Sequence, residues 1–347
     1  GVAGAGGGVR GVGGAREGGA GAVRVLVVGG ARLETSPETG IVASADRIEF
    51  AGSPESAGNF RATAAIASGG VVIDGWGGRF AGERARFVFD EEGRLQVTVL
   101  EGEPTARFPI SVEGGEVVYV DLVATDSVHL FTDTGFSVRG PCTVSIPGRG
   151  LSLECNGQLL GAGGREAGFG WLSASGGVRA SLGAHEFEGL DLDMRSFMSE
   201  SGEVEWTVHT PNAALLTGVL VGEEGNSYRA QVRGGLELAT AGEDLLIKRA
   251  TDVDLSVDGP GGFELLAGEL LDASLAERVF RSRGGIRFQD GRIQAEATAA
   301  SAGEAEISGS RNGKLRSTGP AGAPLASRRA SCVQAGPCRR SAAHRAG

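Results

Sequence analysis

The stretch GGVVIDGWGGRFAGERARFVFDEEGRLQVTVLE, residues 69–101, decides the fold class of this chain. Within it Phe87 and Phe89 alternate with Arg86 and Val88. A period of two residues places successive side chains on opposite faces of a β-strand. The stretch therefore predicts consecutive strands that have one apolar face and one polar face and are joined by glycine-containing turns.

The same alternation continues along most of the chain. Val253 and Leu255, for example, alternate with Asp254 and Ser256. Helical spacing is found only over 265–279, and that segment contains a glycine. We therefore predict an all-β protein, built either as an open β-jelly roll or as a stack of tandem hairpins.

Pairs of glycines recur before an apolar residue and open a new strand. Glycine adopts the positive φ angles of tight turns without strain, so the repeating unit is predicted to be a β-hairpin. The uneven spacing of these units favours a loose stack of hairpins over a strict solenoid. The pairs lie at 29–30, 69–70, 176–177, 234–235 and 284–285.

Composition divides the chain into five segments. The glycine-rich segment 1–21 has little apolar surface to bury, and the Arg/Ala-rich tail 319–347 loses the alternation, so we expect both to be disordered. Between them we predict three β modules, at 22–112, 113–200 and 201–318.

The charge of the chain argues against nucleic acid as a partner. Its formal net charge is -10, and its only lysines are Lys248 and Lys314. Nucleic-acid binding depends on clustered cations that release counterions from phosphates. The arginines are instead scattered along strands beside acidic residues, which is typical of exposed strand faces of mixed charge.

Motifs for catalysis or cofactor binding are weak. The segment 6–11 matches G-x-G-x-x-G, but no strand precedes it and no helix follows it. We expect His185, beside Glu186 and Glu188, to be an ordinary surface residue, and the acids of 186–193 lack the spacing of a calcium loop. We therefore predict a protein that is not an enzyme and that holds no metal and no cofactor.

Two of the four cysteines are candidates for a disulfide. Cys142 and Cys155 lie in alternating segments on either side of a Pro-Gly turn, so a hairpin would bring them opposite each other. The other two, Cys332 and Cys338, lie in the tail. An even number of cysteines fits an oxidising compartment, and no cysteine spacing suggests zinc.

Two stretches resemble repeats of the OstA-like family of lipopolysaccharide-transport proteins, to which LptA and LptC belong. GGARLETSPETGIVASADRIEF (29–50) contains a turn followed by a strand of the form A-D-x-apolar-x-aromatic. The stretch 69–102 adds an FD-x-x-G-R-L turn, and fainter copies lie at 176–194, 233–257 and 284–308. The chain is richer in glycine and less regular in spacing than that family.

This resemblance implies a fold, a function and a location. The fold is a folded-over sheet whose apolar inner face forms a groove for the acyl chains of lipopolysaccharide or a similar lipid. Exposed sheet edges join partner modules by strand pairing, and the family has no catalytic residues. The implied location is the periplasm or cell envelope, which allows for a signal or anchor upstream of Gly1.

We predict that the residues in the apolar phase of each strand face inward and line this groove. They are Ile48, Phe50, Val72, Phe87, Phe89, Leu95, Val97, Val178, Leu190, Leu192, Trp206, Leu236, Val253, Leu255, Ile286 and Phe288.

Two other functions fit the same strand pattern. One is a structural or adhesive β-solenoid of the envelope or cell surface with a fully packed core, and the other is a carbohydrate-active β-helix enzyme. An enzyme needs a carboxylate cluster on one face, and no such cluster stands out in the sequence. The inner face separates the first two functions, because a lipid conduit leaves its interior unfilled. Small residues such as Ala180, Ala295 and Ala297 favour a cleft.

Overall fold

The structure, a computed structural model, consists of β-strands and turns. Within the described residues there is no helix, which confirms the prediction of an all-β fold. The disorder expected for 1–21 and 319–347 concerns residues outside the described ranges, apart from Val9 and Arg10. The structure describes residues 9–10, 23–35, 40–54, 60–111, 117–132, 135–147, 150–164, 168–198, 204–220, 226–241, 244–260, 262–275, 279–290, 294–297 and 304–308.

The described residues form twenty-four strands. The first twelve are β1 (Val9–Arg10), β2 (Val23–Glu34), β3 (Val42–Pro54), β4 (Phe60–Gly75), β5 (Gly78–Phe89), β6 (Leu95–Glu101), β7 (Thr105–Ser111), β8 (Val117–Ala124), β9 (Ser127–Phe131), β10 (Gly135–Arg139), β11 (Cys142–Ile146) and β12 (Leu151–Cys155). The others are β13 (Gln158–Gly164), β14 (Gly168–Leu182), β15 (His185–Met198), β16 (Val204–Thr210), β17 (Ala214–Val219), β18 (Ser227–Val232), β19 (Leu236–Ala241), β20 (Asp244–Asp258), β21 (Phe263–Ser274), β22 (Val279–Asp290), β23 (Gln294–Ala297) and β24 (Glu304–Ser308). The segment with helical spacing is therefore largely strand β21.

Nine long strands, β2 to β5, β14, β15 and β20 to β22, each contribute two separate runs of pairing. In β4, residues 64–68 pair with 84–88, and residues 71–75 pair with 78–82. The residues skipped between these runs are Gly69 and Gly70, and both have positive φ. Because glycine tolerates this conformation, the Gly-Gly pair bends the strand in its middle. The expectation that such a pair opens a new strand is therefore wrong at this position.

The two runs belong to two β-layers. Layer 1 contains one half of each long strand together with β1, β6, β9, β10, β13, β16, β19 and β24. Layer 2 contains the other half of each long strand together with β7, β8, β11, β12, β17, β18 and β23. All antiparallel pairings of the described residues join strands within one layer.

The chain crosses between the layers along one margin, which we call the crease. It consists of the bends in the long strands and of short corners such as 102–104, 140–141 and 156–157. The opposite margin of each layer, which we call the rim, is made of hairpin turns such as Trp76-Gly77 and 90–94. The sheet is therefore folded over on itself.

Because β5 and β14 pair in both layers, ten strands close into a ring of antiparallel pairings. The ring runs through β5, β6, β9, β10, β13, β14, β12, β11, β8 and β7. The remaining strands extend the two layers at both ends. Pairing continues from β7 to β8 and from β15 to β16, so it crosses the expected module boundaries at 112/113 and 200/201.

Candidate functional site

The apolar interior between the layers is the candidate site. One hydrophobic cluster includes buried residues of both layers, from Ala31 to Phe288. Thirteen of the sixteen residues predicted to face inward belong to it, and each is at most 7% exposed. They are Ile48, Phe50, Phe87, Phe89, Leu95, Val178, Leu192, Trp206, Leu236, Val253, Leu255, Ile286 and Phe288.

A β-bulge changes the inward phase of β6. The register of the pairing with β5 shifts between Val88 and Phe89, so no residue of β5 lies opposite Gln96. Thr98 and Leu100 are consequently fully buried, whereas Val97, predicted to face inward, is half-buried. The Thr98 hydroxyl is buried and no described residue forms a hydrogen bond with it, which costs about 1–3 kcal/mol.

Two other predicted inward residues lie elsewhere. Val71 and Ile73 are buried and Val72 is only half-buried, because a run of three apolar residues does not reveal which phase faces inward. Leu190 is 61% exposed. No residue of β14 lies opposite Leu190, because the register between β14 and β15 shifts at the Gly176-Gly177 bend. The alternation of inward-facing and outward-facing side chains along β15 is interrupted at the same point. The inward placement of Leu190 is wrong.

Aromatic side chains meet across the layers near the rim. Phe108 of layer 2 and Phe136 of layer 1 have ring centroids 5.4 Å apart. Phe263 of layer 2 and Phe280 of layer 1 have ring centroids 5.5 Å apart. Side chains therefore fill the space between the layers at these levels and hold the rim closed.

Trp76 forms part of the rim in the hairpin turn between β4 and β5. Trp76 and Gly77 both have positive φ, at 50° and 74°, in a two-residue turn closed by the pair Gly75 and Gly78. A left-handed backbone costs a residue other than glycine about 1–2 kcal/mol. The ring packs edge-on against Phe80, at 5.7 Å between centroids, and its buried Nε1–H has no hydrogen-bond partner among the described residues.

Layer 2 also holds a buried polar pair that the sequence did not predict. His185 Nδ1 and the Tyr228 hydroxyl lie 2.9 Å apart in a hydrogen bond, and both residues are buried. They occupy β15 and β18, on either side of Gly218 in β17, and they meet over the missing side chain of that glycine. Burial raises the pKa of Tyr228. The expectation that His185 is a surface residue is therefore wrong, although its neighbours Glu186 and Glu188 are exposed.

Cys142 and Cys155 are directly opposite each other in the pairing of β11 with β12. Both thiols are free and buried, and their Sγ atoms are 3.2 Å apart. The hydrogen bond between the thiols, together with burial, raises the pKa of Cys142, and the same hydrogen bond lowers the pKa of Cys155.

The outer faces of the layers are charged, as the alternation predicts. The exposed Arg249 side chain contacts the half-buried Glu269 at 2.7 Å. The exposed side chains of Arg233 and Asp252 contact each other at 3.2 Å. In the described part of the chain, no three His, Cys, Asp or Glu side chains are grouped to hold a metal ion. The same residues contain no helix long and apolar enough to cross a bilayer.

Comparison with protein-family models, with curated proteins and with solved structures returns no match for this chain. The resemblance to OstA-like proteins therefore rests on the sequence motifs alone.

Proposed function

We propose that this protein is a non-enzymatic lipid-binding or lipid-bridging protein of the periplasm or cell envelope. In this proposal, acyl chains of a lipopolysaccharide-like lipid lie between layer 1 and layer 2, in the manner of the open β-jelly roll of OstA-like proteins. The observation that carries the proposal is the difference between the two margins of the folded sheet.

The crease and the rim are held together by different interactions. The polypeptide itself joins the layers at the crease, through bends such as Gly69-Gly70. At the rim, aromatic contacts such as Phe108 with Phe136 close the gap. The rim can therefore open while every backbone pairing described within the layers is kept.

An acyl chain that enters between the layers offsets part of the cost of opening the rim. An aromatic contact contributes about 0.5–1.5 kcal/mol beyond the area that it buries. Each methylene group of an acyl chain that leaves water gains about 0.8 kcal/mol. A few methylene groups therefore offset the loss of one aromatic contact, and the interior cluster that receives them extends through both layers.

The two ends of the stack provide edges for partner proteins. Residues 31–34 of β2 pair only with β3, and β23 and β24 pair only with β22, within the described strands. Unpaired edge groups accept a further strand, so we propose that other β-jelly-roll envelope proteins join here by β-augmentation. The outer faces of the layers carry acidic and basic side chains side by side, so they offer no cluster of cations to which nucleic acid would bind.

A structural or adhesive role with a fully packed core is the second candidate. It is favoured by the low exposure of the thirteen inward residues and by the aromatic contacts between the layers. Phe87 and Leu192 are almost fully buried, so a charge at either position would disrupt the packing under both functions. A discriminating test must therefore restrain the rim without placing a charge in the interior.

Chemical crosslinking across the rim provides that test. In a background with the four native cysteines replaced, F108C/F136C places one thiol in each layer, and a short bismaleimide joins them. The matched control F80C/F108C places both thiols in layer 2, where the two rings stack at 6.4 Å. Uptake of a photoactivatable fatty acid is measured before and after crosslinking, alongside native mass spectrometry of the unmodified protein purified from membranes.

Lipid binding predicts that the protein co-purifies with lipid and that crosslinking abolishes uptake in F108C/F136C alone. Loss of uptake in both variants would indicate that the reagent damages the interior. A protein that stays free of lipid, with no effect of either crosslink, would support the packed structural role instead.

A further inference from the structure

Trp76 combines features that a purely structural turn residue does not need. Two-residue hairpin turns with positive φ favour Asn, Asp or Gly at the first position. Tryptophan occupies that position here, with φ of 50°. The sequence thus keeps a large aromatic ring at the rim despite its unfavourable backbone conformation.

The indole N–H is the second such feature. Nε1 is buried and has no hydrogen-bond partner in the part of the chain that the structure describes, although tryptophan in a protein interior usually finds one. The contact with Phe80 involves the ring of Trp76 and not its N–H. A phenylalanine at position 76 would therefore make the same contact without burying a hydrogen-bond donor. The donor is therefore available to a molecule that enters beside it.

Trp76 is also connected to the contact that closes the rim. Its ring packs on Phe80, which stacks on Phe108 at 6.4 Å, and Phe108 contacts Phe136 in the other layer. A ligand that displaces this row of rings would pass Trp76 as it enters the interior.

We infer that Trp76 is a binding residue for the polar part of an amphiphile, with its Nε1–H donating a hydrogen bond to an acceptor oxygen. This inference rests on the proposed function, in which the acyl chain of the same molecule lies between the layers. The recognised chemistry is an oxygen acceptor next to an acyl chain, as in a carboxylate or a phosphate ester. At the boundary of an apolar interior, such a bond satisfies the donor that is unpaired in the lipid-free protein.

The test compares three probes with the same alkyl chain in equilibrium dialysis with the full chain. Dodecanoate offers a carboxylate acceptor and dodecylphosphocholine offers phosphate oxygens, whereas dodecyltrimethylammonium offers no acceptor. W76F keeps an aromatic ring and removes the N–H, and W171F is the matched control, since Trp171 is half-buried in β14. Thermal unfolding of each variant is measured in parallel.

We expect W76F to bind dodecanoate and dodecylphosphocholine about five-fold more weakly, which is the effect of losing one net hydrogen bond. Its affinity for dodecyltrimethylammonium should match that of W171F, and its unfolding midpoint should be no lower than that of W171F. If only dodecanoate responds, the acceptor is a carboxylate, and if only dodecylphosphocholine responds, it is a phosphate; either result supports the inference.

Equal weakening for all three probes, or a lower unfolding midpoint in W76F, would show that Trp76 only caps the core and would overturn the inference. The inference would also be overturned if W76F bound all three probes with the same affinity as W171F. The proposed lipid binding would then still stand. Failure of all three probes to bind the unsubstituted protein would overturn the proposed function as well.

Discussion

Gly218 lies between two polar side chains that face the apolar interior. A Cβ at this position would be 2.7 Å from His185 Nδ1 and 2.8 Å from both the Ala184 carbonyl oxygen and a Tyr228 ring carbon. Such distances require the hydrogen-bonded pair and the backbone to move apart. The glycine is therefore needed for the space it leaves free, and not for a positive φ.

We expect G218A to lower the free energy of unfolding by about 1–3 kcal/mol, as other overpacked interiors do. G268A is the matched control, because its Cβ would approach no atom closer than 3.4 Å, a normal van der Waals distance. Urea denaturation of both variants measures the difference. Equal stability of G218A and G268A would contradict this account of the polar pair.

The cysteine pair is expected to oxidise without rearrangement of the sheet. Directly opposed residues of antiparallel strands have Cα atoms about 4.5–5.5 Å apart, which lies within the range that a disulfide bridges. With Cys332 and Cys338 replaced by serine, oxidised glutathione should convert the two thiols to one disulfide and release two molecules of reduced glutathione.

The disulfide should stabilise the protein by about 2–4 kcal/mol, because it closes a loop and so lowers the conformational entropy of the unfolded chain. Thiol counting in denaturant, before and after oxidation, measures the conversion, and C142A is the control that cannot form the bond. Two thiols still titrating after prolonged oxidation would contradict the predicted pairing.

At the scale of elements, the turn from β5 to β6 shows how a short loop is held in place. The Asp90 carboxylate accepts backbone hydrogen bonds from Glu92 and Arg94, at 3.0 and 2.8 Å, and side-chain bonds from Arg94 and Gln96. These bonds, led by the backbone N–H of Arg94, lower the pKa of Asp90 to about 2.

Because this pKa is lowered in the folded state, the contribution of Asp90 to stability is present above the unfolded pKa of about 3.9. It is lost as the pH falls from there towards 2. We therefore expect the wild type to be more stable than D90N at neutral pH and the difference to shrink over this acid range. E91Q, in the same turn, is the control, and a pH-independent difference between wild type and D90N would contradict the prediction.

Alternation within a strand predicted the inward face where apolar and polar residues strictly alternate and the partner strand keeps its register. Phe87 and Leu255 are examples, and both are fully buried. It failed at Val97 because the bulge depends on how β5 and β6 pair, which the sequence of β6 alone does not reveal. It failed at Leu190 because the inward phase changes where β15 passes the bend of its neighbour.

For the whole molecule, period-two alternation was sufficient to predict an all-β fold, whereas the layering could not be predicted. The ring of ten strands depends on β5 pairing with β6 through one half and with β7 through the other. Alternation shows which side chains face inward, but it does not show how closely two layers approach. The aromatic contact of Phe108 with Phe136 and the polar pair of His185 with Tyr228 therefore became visible only in the structure.

The short sequence separation between paired strands has a consequence for how the chain folds. In the described strands, the paired residues furthest apart in sequence are Val97 and Phe131, 34 positions from each other. Each strand therefore finds its partners within 34 positions along the chain. Such a chain can fold progressively from its N-terminal end, because no early strand waits for a distant partner.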